Sequence, residues 1–316
     1  MRSEELTMKK ELKDIFSEDL FEGDMRFLEP MRKHTSLKIG GPADVLAMPQ
    51  NLLSLINMCG VLQRNRIPLF PLGGGTNILV RDGGIEGAAI SLKSFRRIEI
   101  LNRDSQYVYL HVEAGTLLQR LVNYAKENGY GGIEGLAGIP GTTGGAICGN
   151  AGAFGCEMKD VLVSVEMLDS EGKIKRFNAE EMTFGYRSSG ILPDQFILNT
   201  DIKLRIHERE EVSAKVENFL NIKRQKQPVW EPSAGCVFKN PSGVSAGKLI
   251  DEAGCKGMRI GDMEVSAIHA NFFINKGEAR ASDFITLMNE VIHKVQQRFG
   301  VILEPEIKIV GREIVN

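Results

Sequence analysis

Hydrophobic positions along the chain change their period several times, and each change marks an element. Leu52, Leu53, Ile56 and Cys59 recur at helical spacing. Ile67–Phe70 is a short apolar run that reads as a strand, and Tyr107–Glu113 (YVYLHVE) alternates as a half-buried strand should. Thr116 is placed to cap a helix carrying Leu117, Leu118, Leu121, Val122 and Ala125, which Gly129 would end. Val161–Asp169 and Lys173–Phe177 flank Asp169-Ser170-Glu171-Gly172, a hairpin signal, and Ile197–Ile206 follows as a further strand. The polar run His207–Gln227 predicts a charged helix, and Ala246–Ala253 a short one. From a cap at Ser282, the residues Phe284, Leu287, Met288, Val291, Ile292 and Val295 form one apolar face that stops at Gly300. Val301–Val310 predicts a last strand, interrupted by Glu304-Pro305-Glu306.

These elements imply an α+β protein in three parts. Residues 1–34 read as a polar, partly helical lead-in, and His34–Pro49 as extended chain. Residues 35–207 form a strand-rich domain with helices on top. The composition shift after His207 opens a smaller α+β domain over residues 208–316.

Composition narrows the function. A chain of 316 residues with 42% hydrophobic content has material for about two cores. Its 39 basic and 41 acidic residues leave a net charge of −2, which argues against nucleic acid or an anionic membrane as partner. The charged start MRSEELTMKKELKDIF is unlike a signal peptide and no apolar run is long enough to span a bilayer, so a cytoplasmic protein is expected. Cys59, Cys148, Cys156, Cys236 and Cys255 are odd in number and widely spaced. The five histidines form no H-x-x-x-H pair, and neither a disulfide framework nor a metal site is expected.

Two glycine clusters point to a cofactor. Residues 135–155 read GLAGIPGTTGGAICGNAGAFG, eight glycines in twenty-one positions. Leu136, Ile139, Pro140, Ile147 and Phe154 break up the stretch, so it is no flexible linker. The second cluster, Pro71-Leu72-Gly73-Gly74-Gly75-Thr76-Asn77, lies between apolar runs, where converging amides can hold an anion and Thr76 and Asn77 add side-chain donors. Together they suit a long ligand with a diphosphate waist. Neither common nucleotide fingerprint is met: Ile78 stands where a third Rossmann glycine belongs, and Ser242 and Leu249 replace the first glycine and the hydroxyl residue of a P-loop.

Three segments carry unusual polar residues: Gly185-Tyr186-Arg187-Ser188-Ser189, Pro232 to Pro241 (PSAGCVFKNP), and Leu303-Glu304-Pro305-Glu306-Ile307-Lys308. Taken singly, Arg187 fits a surface-paired loop arginine, Cys236 a small core residue, and Glu306 a solvent-facing strand residue.

Taken as a set, PLGGGTNILV, IPGTTGGAICGNAGAFG, GYRSS, SAGCVFKNP and LEPEIKIVG resemble, in order and over nearly the full chain, the UDP-N-acetylenolpyruvoylglucosamine reductases (MurB family). The short link between GYRSS and Ile197 resembles the compact type II branch. The resemblance implies a PCMH-type FAD-binding scaffold, shared with vanillyl-alcohol oxidase, over 35–207 and a substrate-binding domain over 208–316. It implies noncovalent FAD along Leu72, Gly73, Gly74, Gly75, Thr76 and Asn77, and along Gly138, Ile139, Pro140, Gly141, Thr142, Gly145, Gly149, Asn150 and Gly152, with the flavin ring facing the second domain. Covalently flavinylated relatives commonly place a histidine in the first glycine loop, where this chain has Thr76.

The implied reaction is NADPH-dependent reduction of the enolpyruvyl ether of UDP-N-acetylglucosamine to UDP-N-acetylmuramate in peptidoglycan precursor synthesis. Hydride passes through the flavin, with NADPH and sugar nucleotide using one pocket in turn. The catalytic positions carried over are Arg187 and Glu306, which would stabilise an enolate-like intermediate, and Cys236, which would protonate the carbon bearing the ether oxygen. Many members have serine at the Cys236 position. Arg187, Lys226 and Asn240 match substrate-contacting positions, although Lys226 also fits a charged helix terminus and Asn240 a turn before Pro241. A monomer with a small-molecule UDP-sugar partner is expected. Two other readings stay open: an FAD-dependent alcohol or sugar oxidase on the same scaffold, and a nucleotide-sugar-binding protein without turnover.

Overall fold

The computed structural model describes residues 21–169, 172–192 and 194–314. The first twenty residues of the expected lead-in therefore lie outside the described part. The rest of the lead-in is not helical at its start: Gly23–Pro30 is a strand.

Among the described residues the chain forms two compact units. One comprises 21–28, 44–74 and 87–222, and the other 29–43, 75–86 and 223–314. This division differs from continuous ranges meeting at 207/208, for physical reasons. The helix α4 (Arg209–Lys226) begins with Val212 and Val216 buried, and Val216 belongs to the first unit's core. Ile78–Val80 pairs in parallel with Lys308–Val310, which draws an early segment into the later unit.

In the first unit, the strands Gly23–Pro30, Pro42–Pro49, Ile85–Ser91 and Leu69–Leu72 lie side by side in that order, the last pair parallel. The helix α1 (Leu52–Arg64) covers the sheet with Leu55, Met58, Cys59 and Leu62, packed with Val45, Ala88 and Ile90. Asn51 caps it by accepting from Ser54 N. Beyond it stands an antiparallel sheet in the order Ile174–Asn178, Leu162–Leu168, Phe196–Ile206, Tyr107–Glu113, Ile98–Arg103. The alternation of YVYLHVE is realised here, with Val108, Leu110 and Val112 fully buried and the intervening residues half-buried.

The helix α2 (Leu118–Asn128) packs Leu118, Leu121, Val122 and Ala125 onto the core of that sheet and ends at Gly129, whose left-handed φ of +69° serves the turn. Each such buried side chain contributes roughly 1.5–3 kcal/mol. Thr116 is not the cap: the helix starts one residue later than expected, and the buried Thr116 hydroxyl donates to Arg97 O instead.

The second unit joins a short antiparallel sheet, Arg259–Ile260, Met263–Val265 and Phe273–Asn275, to two helices. These are α5 (Ala246–Glu252) and α6 (Ala281–Phe299), the latter burying Phe284, Leu287, Met288, Val291 and Val295. α6 starts before Ser282, and its first amides are satisfied from afar: Asp82 accepts from Ala281 N at 2.8 Å and Ser282 N at 3.1 Å. The expected strand over Val301–Val310 shortens to Lys308–Val310. Pro305, which has no N–H to give a ladder, leaves a single bridge to Phe238 before it.

Candidate functional site

In the first unit the two glycine loops meet backbone on backbone. Leu72 is buried at the end of its strand, and Gly73 and Gly74 beyond it are exposed. A methyl on Gly74 would lie 2.7 Å from Gly141 Cα, and one on Gly73 would lie 3.2 Å from Thr142 Oγ1. Only bare glycine allows this approach.

The second loop is anchored to its surroundings. Gly138 N donates to Gln119 Oε1 at 2.6 Å, Thr143 N to Thr116 O at 2.8 Å, and Gly144 N to Ala114 O at 2.9 Å. Thr142 Oγ1 accepts from Gly145 N and opens the short helix α3 (Thr143–Cys148), which Gly149 closes. Gly138, Pro140 and Gly145 are exposed, Ile139 is half-buried, and Gly152 pairs with Glu157 in a two-residue ribbon. The result is a fixed surface of main chain without side chains, a cradle that any Cβ would fill. It suits a bulky anionic cofactor such as FAD.

The GYRSS segment is a tight turn held to the same loop. Gly185 and Ser188 exchange N–H···O bonds of 3.0 and 3.3 Å, and Arg187 between them is left-handed at φ +58°. The Arg187 guanidinium stacks over the Tyr186 ring at 5.2 Å. Ser189 Oγ donates to Cys148 O at 2.8 Å, and Asn150 Nδ2 donates to Gly185 O at 3.1 Å.

In the second unit the structure brings the segments that carry Cys236 and Glu306 together through main-chain bonds. Glu306 N donates to Val237 O at 2.7 Å, and Phe238 bridges Pro305. Val237 and Ile307 are buried in the core, whereas Cys236 and Glu306 stay half-buried. Buried Asn271 fixes the cysteine segment: Val237 N donates to its carbonyl, Phe238 N to its Oδ1, and its Nδ2 donates to Phe238 O. The first glycine loop continues here. Gly75, at φ +64°, has no room for a methyl against the His34 carbonyl, and half-buried Thr76 leads to Asn77. Asn77 Nδ2 donates to Glu306 O at 3.4 Å and its carbonyl accepts from Lys308 N. The TN pair and the EPE segment thus form one assembly.

The remaining expected residues are placed differently. Asn240 Oδ1 accepts from Ala246 N at 3.0 Å at the start of α5, and Lys226 is exposed at the last position of α4. His269, for which sequence suggested no role, accepts from Asn271 N through Nδ1 and packs edge-on against Phe272. Burial lowers its pKa. Burial pushes the Cys156 thiol up to about 12 and the Cys59 thiol to about 11, so neither is a ready nucleophile. A depression of roughly 620 Å³ on the antiparallel sheet, lined by Tyr107, Tyr109, Lys203 and Arg205 among others, includes none of the expected site residues. Among the described residues no acidic, histidine or cysteine cluster could hold a metal, and no helix is long and apolar enough to cross a membrane.

Sequence reasoning missed Asn271, Asp82 and the bond from Asn150 to Gly185, because each joins residues tens to hundreds of positions apart. It also missed Lys223, buried in α4, whose ammonium burial pushes down to about 8.

Residues 43–178 match the FAD binding domain family, and residues 227–310 match the C-terminal domain of UDP-N-acetylenolpyruvoylglucosamine reductase. The UDP-N-acetylenolpyruvoylglucosamine reductase of Caldanaerobacter subterraneus is 44% identical over 307 residues, 97% of this chain and 100% of the relative. That of Geotalea uraniireducens is 42% identical over 92% of this chain and 95% of the relative. The crystal structure of the Thermus caldophilus reductase superposes with a TM-score of 0.78 at 34% identity, covering 92% of this chain and 99% of that one. With relatives this similar over essentially its whole length, the chain belongs to the UDP-N-acetylenolpyruvoylglucosamine reductase family.

Proposed function

We propose that the protein reduces the enolpyruvyl ether of UDP-N-acetylglucosamine to UDP-N-acetylmuramate, working in the cytoplasm as a monomer with NADPH as reductant. The observation that supports this most is the packing of the two glycine loops, Gly74 on Gly141, together with, in the other unit, the main-chain bond from Glu306 to Val237, the residue after Cys236. Residues 35–207 serve the cofactor and residues 208–316 the substrate. Noncovalent FAD, when bound, would supply the two-electron chemistry by which hydride from NADPH reaches the terminal carbon of the enol ether.

The chain's own residues handle the charge and the proton. Hydride addition pushes negative charge onto the substrate carboxylate. The Arg187 guanidinium and the Glu306 carboxyl, the latter protonated when it donates, stabilise the enolate-like form. Cys236 then gives its thiol proton to the carbon bearing the ether oxygen. Leu72, Gly73, Gly74, Gly75, Thr76, Asn77 and the exposed main chain of Gly138 to Gly152 hold the cofactor, while Lys226 and Asn240 contact the sugar nucleotide.

The test is to mix FAD-loaded protein, NADPH and the UDP-enolpyruvyl sugar without oxygen. The expected outcome is yellow flavin bleached by NADPH, recoloured by the sugar nucleotide, and a product heavier by two hydrogens. Flavin that is bleached instead by an alcohol or free sugar and recoloured by oxygen would identify an oxidase and overturn the proposal.

A further inference from the structure

We infer that Asn150 is the positioning residue for Arg187, its carboxamide holding the turn that carries the arginine. The inference rests on the proposed role of Arg187. Asn150 is fully buried and left-handed, φ +40°, a conformation that asparagine tolerates better than most residues. Its Nδ2 donates to Gly185 O at 3.1 Å and to Glu157 Oε2 at 3.0 Å, and its Oδ1 accepts from Lys159 N at 3.2 Å. Only one amide orientation satisfies all three partners, and it engages both amide protons and the oxygen. The side chain is therefore a bracket inside the protein, although it sits in a glycine loop that serves the cofactor.

One of the two groups it donates to carries Arg187. Gly185 O belongs to the turn in which Arg187 is itself left-handed, so one hydrogen bond joins two strained non-glycine residues that are 37 positions apart in sequence. Such conformations persist where the surroundings over-determine them. Glu157 is ion-paired with Lys159 at 2.8 Å. Lys159 chiefly, with smaller contributions from Asn150 and Arg187, holds its carboxyl below the usual carboxylate range. Loss of the carboxamide would free the turn that carries Arg187.

The experiment is a cycle of four FAD-loaded proteins: parent, Asn150→Gly, Arg187→Ala and the double variant. Glycine keeps the left-handed backbone while removing the carboxamide. The rates of flavin reduction by NADPH and of reoxidation by the UDP-enolpyruvyl sugar are measured separately. Misplacing Arg187 predicts reoxidation slowed about 10- to 100-fold in Asn150→Gly, read as a ratio to each variant's own rate of reduction by NADPH. The double variant should be no slower than Arg187→Ala. Asn150→Asp, which keeps the shape and loses both donors, should behave like Asn150→Gly. In cofactor-free Asn150→Gly, amide hydrogen exchange at Gly185 and Ser188 should quicken about tenfold or more as that turn loosens.

Parent-like reoxidation in Asn150→Gly, multiplicative losses in the double variant, or unchanged exchange would overturn the inference while leaving the role of Arg187 standing. A parent-like Arg187→Ala would remove that role, and the inference with it.

Discussion

A single methyl group is the smallest perturbation the cofactor cradle can receive. In Gly74→Ala it would sit 2.7 Å from backbone that cannot rotate away, so the two loops must separate. Overpacking of this kind costs about 1–3 kcal/mol, which predicts FAD binding weakened roughly 5- to 150-fold. Fluorescence titration of the cofactor-free protein checks it, and an unchanged Kd would refute the cradle.

Lys223 gives a second test at the same scale. Its ammonium ordinarily titrates at 10.5 and is pushed down to about 8 by burial. Between those two values the unfolded chain holds more protons than the folded one, so stability rises with pH through that window; below about 8 both states are charged and the burial cost is complete. A shift of that size corresponds to at most about 3 kcal/mol. Denaturant midpoints from pH 7 to 10.5 should climb in the parent more steeply than in Lys223→Met, and parallel curves would contradict the assignment. The glycine clusters stand out in the sequence because their composition is local and unusual, and Arg187, Cys236 and Glu306 only through the set of motifs that resembles the family. Lys223 does not, since its run of charged neighbours hides that it is buried.

Elements were legible where their stabilising contacts are local, and misread where distant residues supply them. The alternation of Tyr107–Glu113 and the apolar face of α6 specify burial by themselves, and both were read correctly. The start of α6 was not, because its cap comes from Asp82, some two hundred positions earlier. Replacing that carboxylate by alanine leaves two helix amides without their acceptor. Loss of such a cap costs about 0.5–2 kcal/mol, expected as a lower chemical-denaturation midpoint in Asp82→Ala; full stability would show that water caps the helix equally well. The final strand was overestimated for a related reason. Pro305 cannot donate to a ladder, yet the main-chain N–H of Glu306 reaches Val237 O and fixes the acid next to the cysteine segment. That pairing joins residues 69 positions apart, beyond anything that periodicity reports.

At the scale of the molecule, the sequence indicated two cores and an α+β class but not the interleaving of the chain. Residues 29–43 and 75–86 belong with the C-terminal unit, since Leu37, Ile39 and Leu79 are buried in its core and Ile78–Val80 pairs with Lys308–Val310. Linear composition cannot show a parallel pair formed between the two ends of a chain. The same interleaving makes the first glycine loop a shared possession: Gly73 and Gly74 pack on the second glycine loop, and Asn77 bonds the backbone of the proposed acid Glu306.

Cys236 as the source of the proton is the central step of the proposed reaction. Its direct measurement is anaerobic single turnover, in which NADPH-reduced enzyme meets the UDP-enolpyruvyl sugar and the return of yellow flavin is timed. Cys236→Ser should keep much of the parent rate, and Cys236→Ala should be reduced by NADPH normally yet fail to pass hydride on to product. An alanine variant that recolours as fast as the parent and releases the reduced sugar nucleotide would contradict the account.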